Sequence, residues 1–169
     1  MMAESVIVCM PVYDKVHPQA WDADMALMAE LARAFPKGRL AVQSTARLTQ
    51  PHAENTMIRR ARKMRTIDDQ PFDWLLWIED DTLPPPTIFA DLRAHASVER
   101  PVVHGLSFDR EPPYDPSIWE YVTEEGEQVG IRPIRDWMAD SVYYVAHSGL
   151  CGSLFHMSVW DRLTEPWFC

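Results

Sequence analysis

Residues 72–86 read Phe-Asp-Trp-Leu-Leu-Trp-Ile-Glu-Asp-Asp-Thr-Leu-Pro-Pro-Pro. A near-continuous apolar run of strand length ends in Glu79, Asp80 and Asp81, and Pro84, Pro85 and Pro86 stop the strand from continuing. An apolar run without alternation suits a strand covered on both faces, as in a parallel sheet between helices. Ligands of open α/β sheets bind beyond the carboxyl ends of the strands, where this run places its three carboxylates. Clustered carboxylates repel one another and lose hydration near a core, so a divalent cation, Mn²⁺ or Mg²⁺, is a natural partner. The plainer reading is a strand followed by an acidic, solvated turn.

The rest of the chain alternates in the manner of βαβ units. Residues 5–12 form an apolar strand. Over 19–35 the residues Trp21, Met25, Met28, Leu31, Ala32 and Phe35 recur at helical spacing, and Pro36 and Gly38 end the helix. A short strand is expected at 40–43, a helix at 53–65 and a helix at 87–95, then a strand at 102–108. Three prolines make 109–117 a loop. Strands at 118–122 and 129–134 flank Glu124-Glu125-Gly126-Glu127 as a hairpin, and two more are expected at 142–146 and 153–157. With 169 residues and no linker or repeat, the chain reads as one α/β domain.

Composition excludes several function classes. A net charge of −9 argues against binding along a nucleic-acid backbone, though not against a nucleotide held through a metal. No apolar run approaches the roughly 20 residues that span a bilayer, and the N-terminus lacks the pattern of a signal peptide, so the chain reads as cytoplasmic. Cys9, Cys151 and Cys169 are too few and scattered for a zinc site or a disulfide framework. No phosphate-binding Gly-x-x-x-x-Gly-Lys loop, Gly-x-Ser-x-Gly elbow or His-Glu-x-x-His helix is present, which removes the commonest kinase, hydrolase and metalloprotease readings.

Taken in order, these segments resemble the nucleotide-diphospho-sugar transferases of GT-A fold, close to the family 2 glycosyltransferases. Val6-Ile7-Val8-Cys9-Met10-Pro11-Val12-Tyr13 looks like the family's opening strand and Pro-x-Tyr turn. Residues 54–61, starting Glu54-Asn55, are similar to its Ala-Arg-Asn helix start, with Glu54 where Arg is usual. Residues 74–86 look like the strand ending in a metal-binding Asp-x-Asp, here Glu79-x-Asp81. Residues 103–110 resemble the following strand, and His147-Ser148-Gly149 with 150–155 the glycine-marked acceptor-side strand. The resemblance implies a Rossmann-like α/β/α sandwich with a mixed, mainly parallel central sheet. It further implies a metal-dependent transfer of sugar from a nucleotide-diphosphate donor to an acceptor.

Under that resemblance Asp81 is the first choice of metal ligand, and Glu79 or Asp80 contacts ribose or the metal through water. Pro11, Tyr13, Asp14 and Gln43 stand where the fold binds the base; Asp14 and Gln43 are equally well turn residues. Asn55, Arg59 and Arg62 share one helix face, from which Arg59 could reach the diphosphate, although Arg59, Arg60, Arg62, Lys63 and Arg65 also read as a solvated basic face. His147 is a candidate for acceptor or metal contact. Trp119, Tyr121 and Trp137 could stack on a sugar or simply pack.

In the family, Pro-Trp-Phe, here Pro166-Trp167-Phe168, is followed by a helix carrying the catalytic base; this chain stops at Cys169. The chain is therefore expected to be a truncation or a relative that takes its base elsewhere, with Asp109 the best substitute and an Asp109–Arg110 ion pair the plainer account. Terminal aromatics also need something to cover them. Two other readings stay open: a non-catalytic nucleotide-sugar-binding module, and a metal-dependent phosphohydrolase built on the same carboxylates.

Overall fold

The computed structural model describes residues 4–13, 16–46, 48–108 and 112–168. Its centre is strand β1, Val6–Val12, in which Val6, Ile7, Val8 and Cys9 are wholly buried. β1 lies between β2, Leu40–Ala46, and β3, Trp74–Trp77, and is parallel to both, with Val8 beside Val42 on one side and Leu76 on the other. Strand β4 spans Val102–His104, and β8, Ser153–His156, lies between β3 and β4, antiparallel to each. The order is β2-β1-β3-β8-β4, so the carboxyl ends of β1 to β4 and the amino end of β8 line one edge.

Helices cover both faces, which is why β1 and β3 are apolar without alternation. On one face Leu27 and Leu31 of α1, Pro18–Ala34, join Ile88, Phe89 and Leu92 of α3, Ile88–Arg93, against Val6, Val8, Leu76 and Ile78. On the other, Met57, Ile58 and Ala61 of α2, Gln50–Lys63, and Trp160 of α4, Val159–Arg162, pack on Ile7, Cys9, Leu75 and Trp77. A second sheet of order β6-β5-β7 stands beside the first, from β5, Ile118–Glu124, β6, Glu127–Pro133, and β7, His147–Ser148. Among the described residues no helix is long and apolar enough to cross a membrane.

The mixed sheet is as read from sequence; its parallel majority is not. In the central sheet two strand pairings are parallel and two antiparallel, and both pairings of the second sheet are antiparallel. After β4 the chain builds the second sheet and returns at the carboxyl edge, so β8 starts where its neighbours end and must run backwards. The strand expected at 142–146 does not form, and pairing occurs at His147–Ser148 instead, against Ile118 and Trp119. β-Branched and aromatic residues favour a strand only where an edge is offered to them. β4 ends at His104 rather than 108, β2 continues to Ala46, and α4 was not anticipated. α2 begins at Gln50, ahead of the expected 53, because Pro51 is tolerated in a helix's first turn.

Between α1 and β2, Gly38 adopts φ +81°, and a Cβ there would come within 2.5 Å of the Ile67 Cβ. Both the left-handed backbone and the close approach demand glycine. Gly38→Ala should destabilise the protein by about 2–4 kcal/mol, combining backbone strain with overpacking. Urea unfolding would read this; a change below about 0.5 kcal/mol would mean that the turn relaxes freely.

Candidate functional site

The acidic tip of β3 divides as the chain leaves the sheet. The Ile78 N–H donates to the Cys9 carbonyl at 3.0 Å, which keeps β3 alongside β1 one residue further. The Thr82 N–H then donates to the Glu79 carbonyl at 3.1 Å and closes a turn. Within this turn Asp80 is buried, Glu79 half-buried and Asp81 exposed. Asp80 Oδ2 accepts the Tyr13 N–H at 2.9 Å and so joins the ends of β1 and β3. The Thr82 hydroxyl meets Cys151 Sγ at 2.6 Å, tying the turn to the entry of β8.

Near that junction and along the first two strands lie buried polar groups, several with atoms that lack a partner. Asp24 of α1 is 3 % exposed, and neither of its carboxylate oxygens is hydrogen-bonded. Burial, and then the charge of Asp80, raise its pKa to about 6. The Tyr13 phenol oxygen is likewise buried and unpartnered, and its pKa is raised by burial and by Glu54, Glu79 and Asp80. Glu54, buried on α2, is pushed up by burial despite a hydrogen bond from Gln50. Gln43 donates its amide to the Met57 carbonyl at 2.9 Å and to Cys9 Sγ at 3.0 Å, while its Oε1 is buried without a partner. Burial drives the Cys9 thiol up to about 12. Pro11 is buried at the last turn of β1. Such an edge, rich in spare acceptors and carboxylates, suits a cation or a ligand that brings hydrogen-bond donors.

The α2 face read from sequence is real, and it turns to the C-terminal segment. The Asn55 side chain accepts the Trp167 N–H at 2.8 Å and donates to the Phe168 carbonyl at 2.9 Å and the Pro51 carbonyl at 2.7 Å. Arg59 is paired with Glu165, and Arg62 with Asp161 at 2.7 Å, the Arg62 guanidinium also lying over Trp167. Trp167 and Phe168 pack on Trp160, and Phe168 on Trp77 as well, which supplies the cover these aromatics need.

His147 sits on β7 with its ring 5.0 Å from Trp119, outside the acidic turn. Among the described residues, no three His, Cys, Asp or Glu side chains gather where a metal could be held, so Glu79, Asp81 and His147 form no ready-made ligand set. Trp137 lies against Phe108 at 5.4 Å, and Tyr121 is exposed. Asp14 and Asp109 lie outside the described residues. His104, at the tip of β4, is held well below the usual histidine range, at about 4, by burial first and His147 second. A cavity of about 830 Å³ opens at the opposite end of the strands; its Arg39, Arg62 and Arg93 are each paired with an acidic side chain.

Sequence reasoning missed Asp24, Glu54 and the Thr82–Cys151 contact. The first two left a signal: Asp24 stands on the stripe Ala20, Leu27, Leu31, and Glu54 on the stripe Ile58, Ala61, so each is a charge on an apolar helix face. No protein-family model and no curated protein matches the chain.

Two outcomes follow from this geometry. Replacing Asn55 by Leu strands part-buried main-chain groups at 167–168 and should cost about 2–4 kcal/mol, a fall in Tm of roughly 4–16 °C. Arg59→Ala, which removes only a half-exposed ion pair, should cost under about 1 kcal/mol; equal losses in thermal unfolding would refute the assignment of the clamp to Asn55. For Asp24, the folded state holds a proton up to about pH 6, whereas the unfolded chain loses it near 3.8. Stability is therefore lost as pH rises through that window. Asp24→Asn should be more stable than the parent at pH 7–8, by about 1–2 kcal/mol, with the gap closing toward pH 4. Urea unfolding across pH 4–8 measures it, and a variant less stable at every pH would show that Asp24 has a supporting partner.

Proposed function

We propose that this chain is a GT-A-like, metal-dependent glycosyltransferase domain of the family 2 kind, which takes a sugar from a nucleotide-diphosphate donor. The observation that carries this reading is the carboxyl edge itself. Asp80 is buried and locked to the main chain of Tyr13, while the next residue, Asp81, stands exposed beyond the sheet. A strand-tip pair of that kind separates a scaffold carboxylate from a ligand-facing one.

Within this reading the chain's own groups divide by place. Gln43 Oε1 and the Tyr13 hydroxyl, both buried without partners, are poised to meet donor groups of a base or ribose. Glu79 and Asp81, in the turn beyond β3, are the carboxylates that would meet the metal and the diphosphate. The donor set suits Mg²⁺ or Mn²⁺ held by one or two carboxylates together with phosphate oxygens, a mode that needs no cage of three protein ligands. When bound there, the metal would take up negative charge on the departing diphosphate. Asn55 and Arg59 support the site indirectly, because the face they share is committed to the C-terminal segment. Asp109, which follows β4 in sequence, is the proposed base.

The test is thermal unfolding with UDP- and GDP-sugars, in Mn²⁺ and in chelator. Donor at about 100 times its Kd adds roughly 2.7 kcal/mol, or about 5–11 °C in Tm. Asp81→Ala should lose the Mn²⁺-dependent part of that shift while its ligand-free Tm moves little, because an exposed carboxylate contributes little to the core. A metal-dependent shift that survives in Asp81→Ala, or no stabilisation by any nucleotide sugar, overturns the proposal. Stabilisation without sugar release or transfer would select the non-catalytic binding module.

A further inference from the structure

β4 closes the main sheet on one side, and its outer edge is open. The Gly105 N–H donates to the Gly152 carbonyl at 2.8 Å and the His156 N–H to the Pro101 carbonyl at 2.7 Å, while Val103 pairs with Leu154. In an antiparallel ladder that register spends the main chain of 101, 103 and 105 on β8. The N–H and C=O groups of Val102 and His104 therefore point outward, and no hydrogen bond to another described residue meets them. Across from them runs the segment 137–145, whose strand-like sequence forms no ladder. Between the two lies a groove of about 670 Å³, walled by Trp137, Tyr143 and Tyr144 on one side and Val102 and His104 on the other. That volume is in the range that one small ligand fills.

The polar atoms in the groove have assignable roles. His104 Nδ1 lies 2.6 Å from Ser153 Oγ, and the Ser153 hydroxyl donates its only proton to the Leu150 carbonyl. Ser153 must then accept from His104 Nδ1–H, which leaves Nε2 a bare acceptor. Tyr143 Oη accepts the Met138 N–H at 2.9 Å, so its own proton remains to be given. Glu99 and Asp140 outnumber Arg100 in the lining, so the groove offers no positive excess to an anion. Donors and acceptors at the rim, aromatic faces beside them and no net positive charge match a ring whose edge carries hydroxyls and whose face carries C–H bonds.

We infer that the groove between the free edge of β4 and residues 137–145 binds a neutral, polyhydroxylated ring, the chemistry of a carbohydrate. The groove reaches the carboxyl edge of the sheet at Gly105, two strands from β3, so it would hold the acceptor if the function proposed above is right, and it rests on that reading for that role alone.

The experiment titrates phenyl β-D-glucoside into the whole chain, with no metal or nucleotide, following amide ¹H–¹⁵N signals. Toluene, which has a ring and no hydroxyl, is titrated in parallel. Saturable shifts are expected at the Val102 and His104 amides with the glucoside, and weaker or no shifts there with toluene. Tyr144 is 90 % exposed, so Tyr144→Ala should keep the fold while weakening glucoside binding roughly three- to tenfold. Absent shifts at those two amides, equal or stronger shifts with toluene, or unchanged affinity in Tyr144→Ala would each overturn the inference. Because neither Mn²⁺ nor nucleotide takes part, failure here and failure at Asp81 are separate results.

Discussion

A carboxylate clamps the pairing of β1 with β3 at each end. At the start, Asp73 Oδ2 accepts both the Ser5 N–H, at 2.9 Å, and the Ser5 hydroxyl, at 2.8 Å, while the Asp73 N–H donates to Ser5 Oγ at 3.1 Å. At the finish, Asp80 accepts the Tyr13 N–H. Between these bonds both strands are buried on two faces, so a slip of one residue would turn each apolar set from one helix layer to the other. The acidic turn, the Tyr13 phenol and the entry of β8 are all positioned from this one register.

The clamp at the finishing end coexists with groups that the fold leaves unsatisfied. An unpartnered buried carboxylate costs free energy, and Asp24 meets that cost by holding its proton to higher pH. The Tyr13 hydroxyl and Gln43 Oε1, the latter in the middle of β2, are likewise buried without a partner. At the opposite end of β3 the polar groups of Ser5 and Asp73 satisfy one another. Unpartnered groups are not confined to this edge, since the indole N–H groups of Trp77, Trp160 and Trp167 are also buried without a partner in the core on the α2 side. Those near the acidic turn differ in being acceptors and carboxylates, which keep a capacity that a group already paired within the protein has spent.

The face of α2 turned to the C-terminal segment shows how one pattern can suit more than one partner. Spacing puts Asn55, Arg59 and Arg62 together, and they are together. An amide and two guanidinium groups recognise a main chain and two carboxylates with the same chemistry they would use on a diphosphate and a base. The tertiary structure brings 161–168 alongside, and there the three side chains find partners within the chain.

Much of the fold could be read before the structure. Apolar runs without alternation gave two strands covered on both faces, and helical spacing gave α1 and most of α2; β3, however, ends at Trp77, closed off by the Glu79–Thr82 turn before the prolines are reached. The site was legible to the extent that a strand tip ending in three carboxylates marks an edge; Asp24 and Glu54 announced themselves only as charges on apolar stripes. The reversed β8, the unpaired 142–146 and the inward turn of Asp80 beside the outward Asp81 were not legible, because each depends on which edge or main-chain donor the fold offers to a segment. Local sequence determined which residues are strand-like, helical or acidic, through steric and hydrophobic periodicity that acts over a few residues. Only the tertiary structure decided which of those groups find partners and which stay open, because that depends on contacts between segments far apart in the chain.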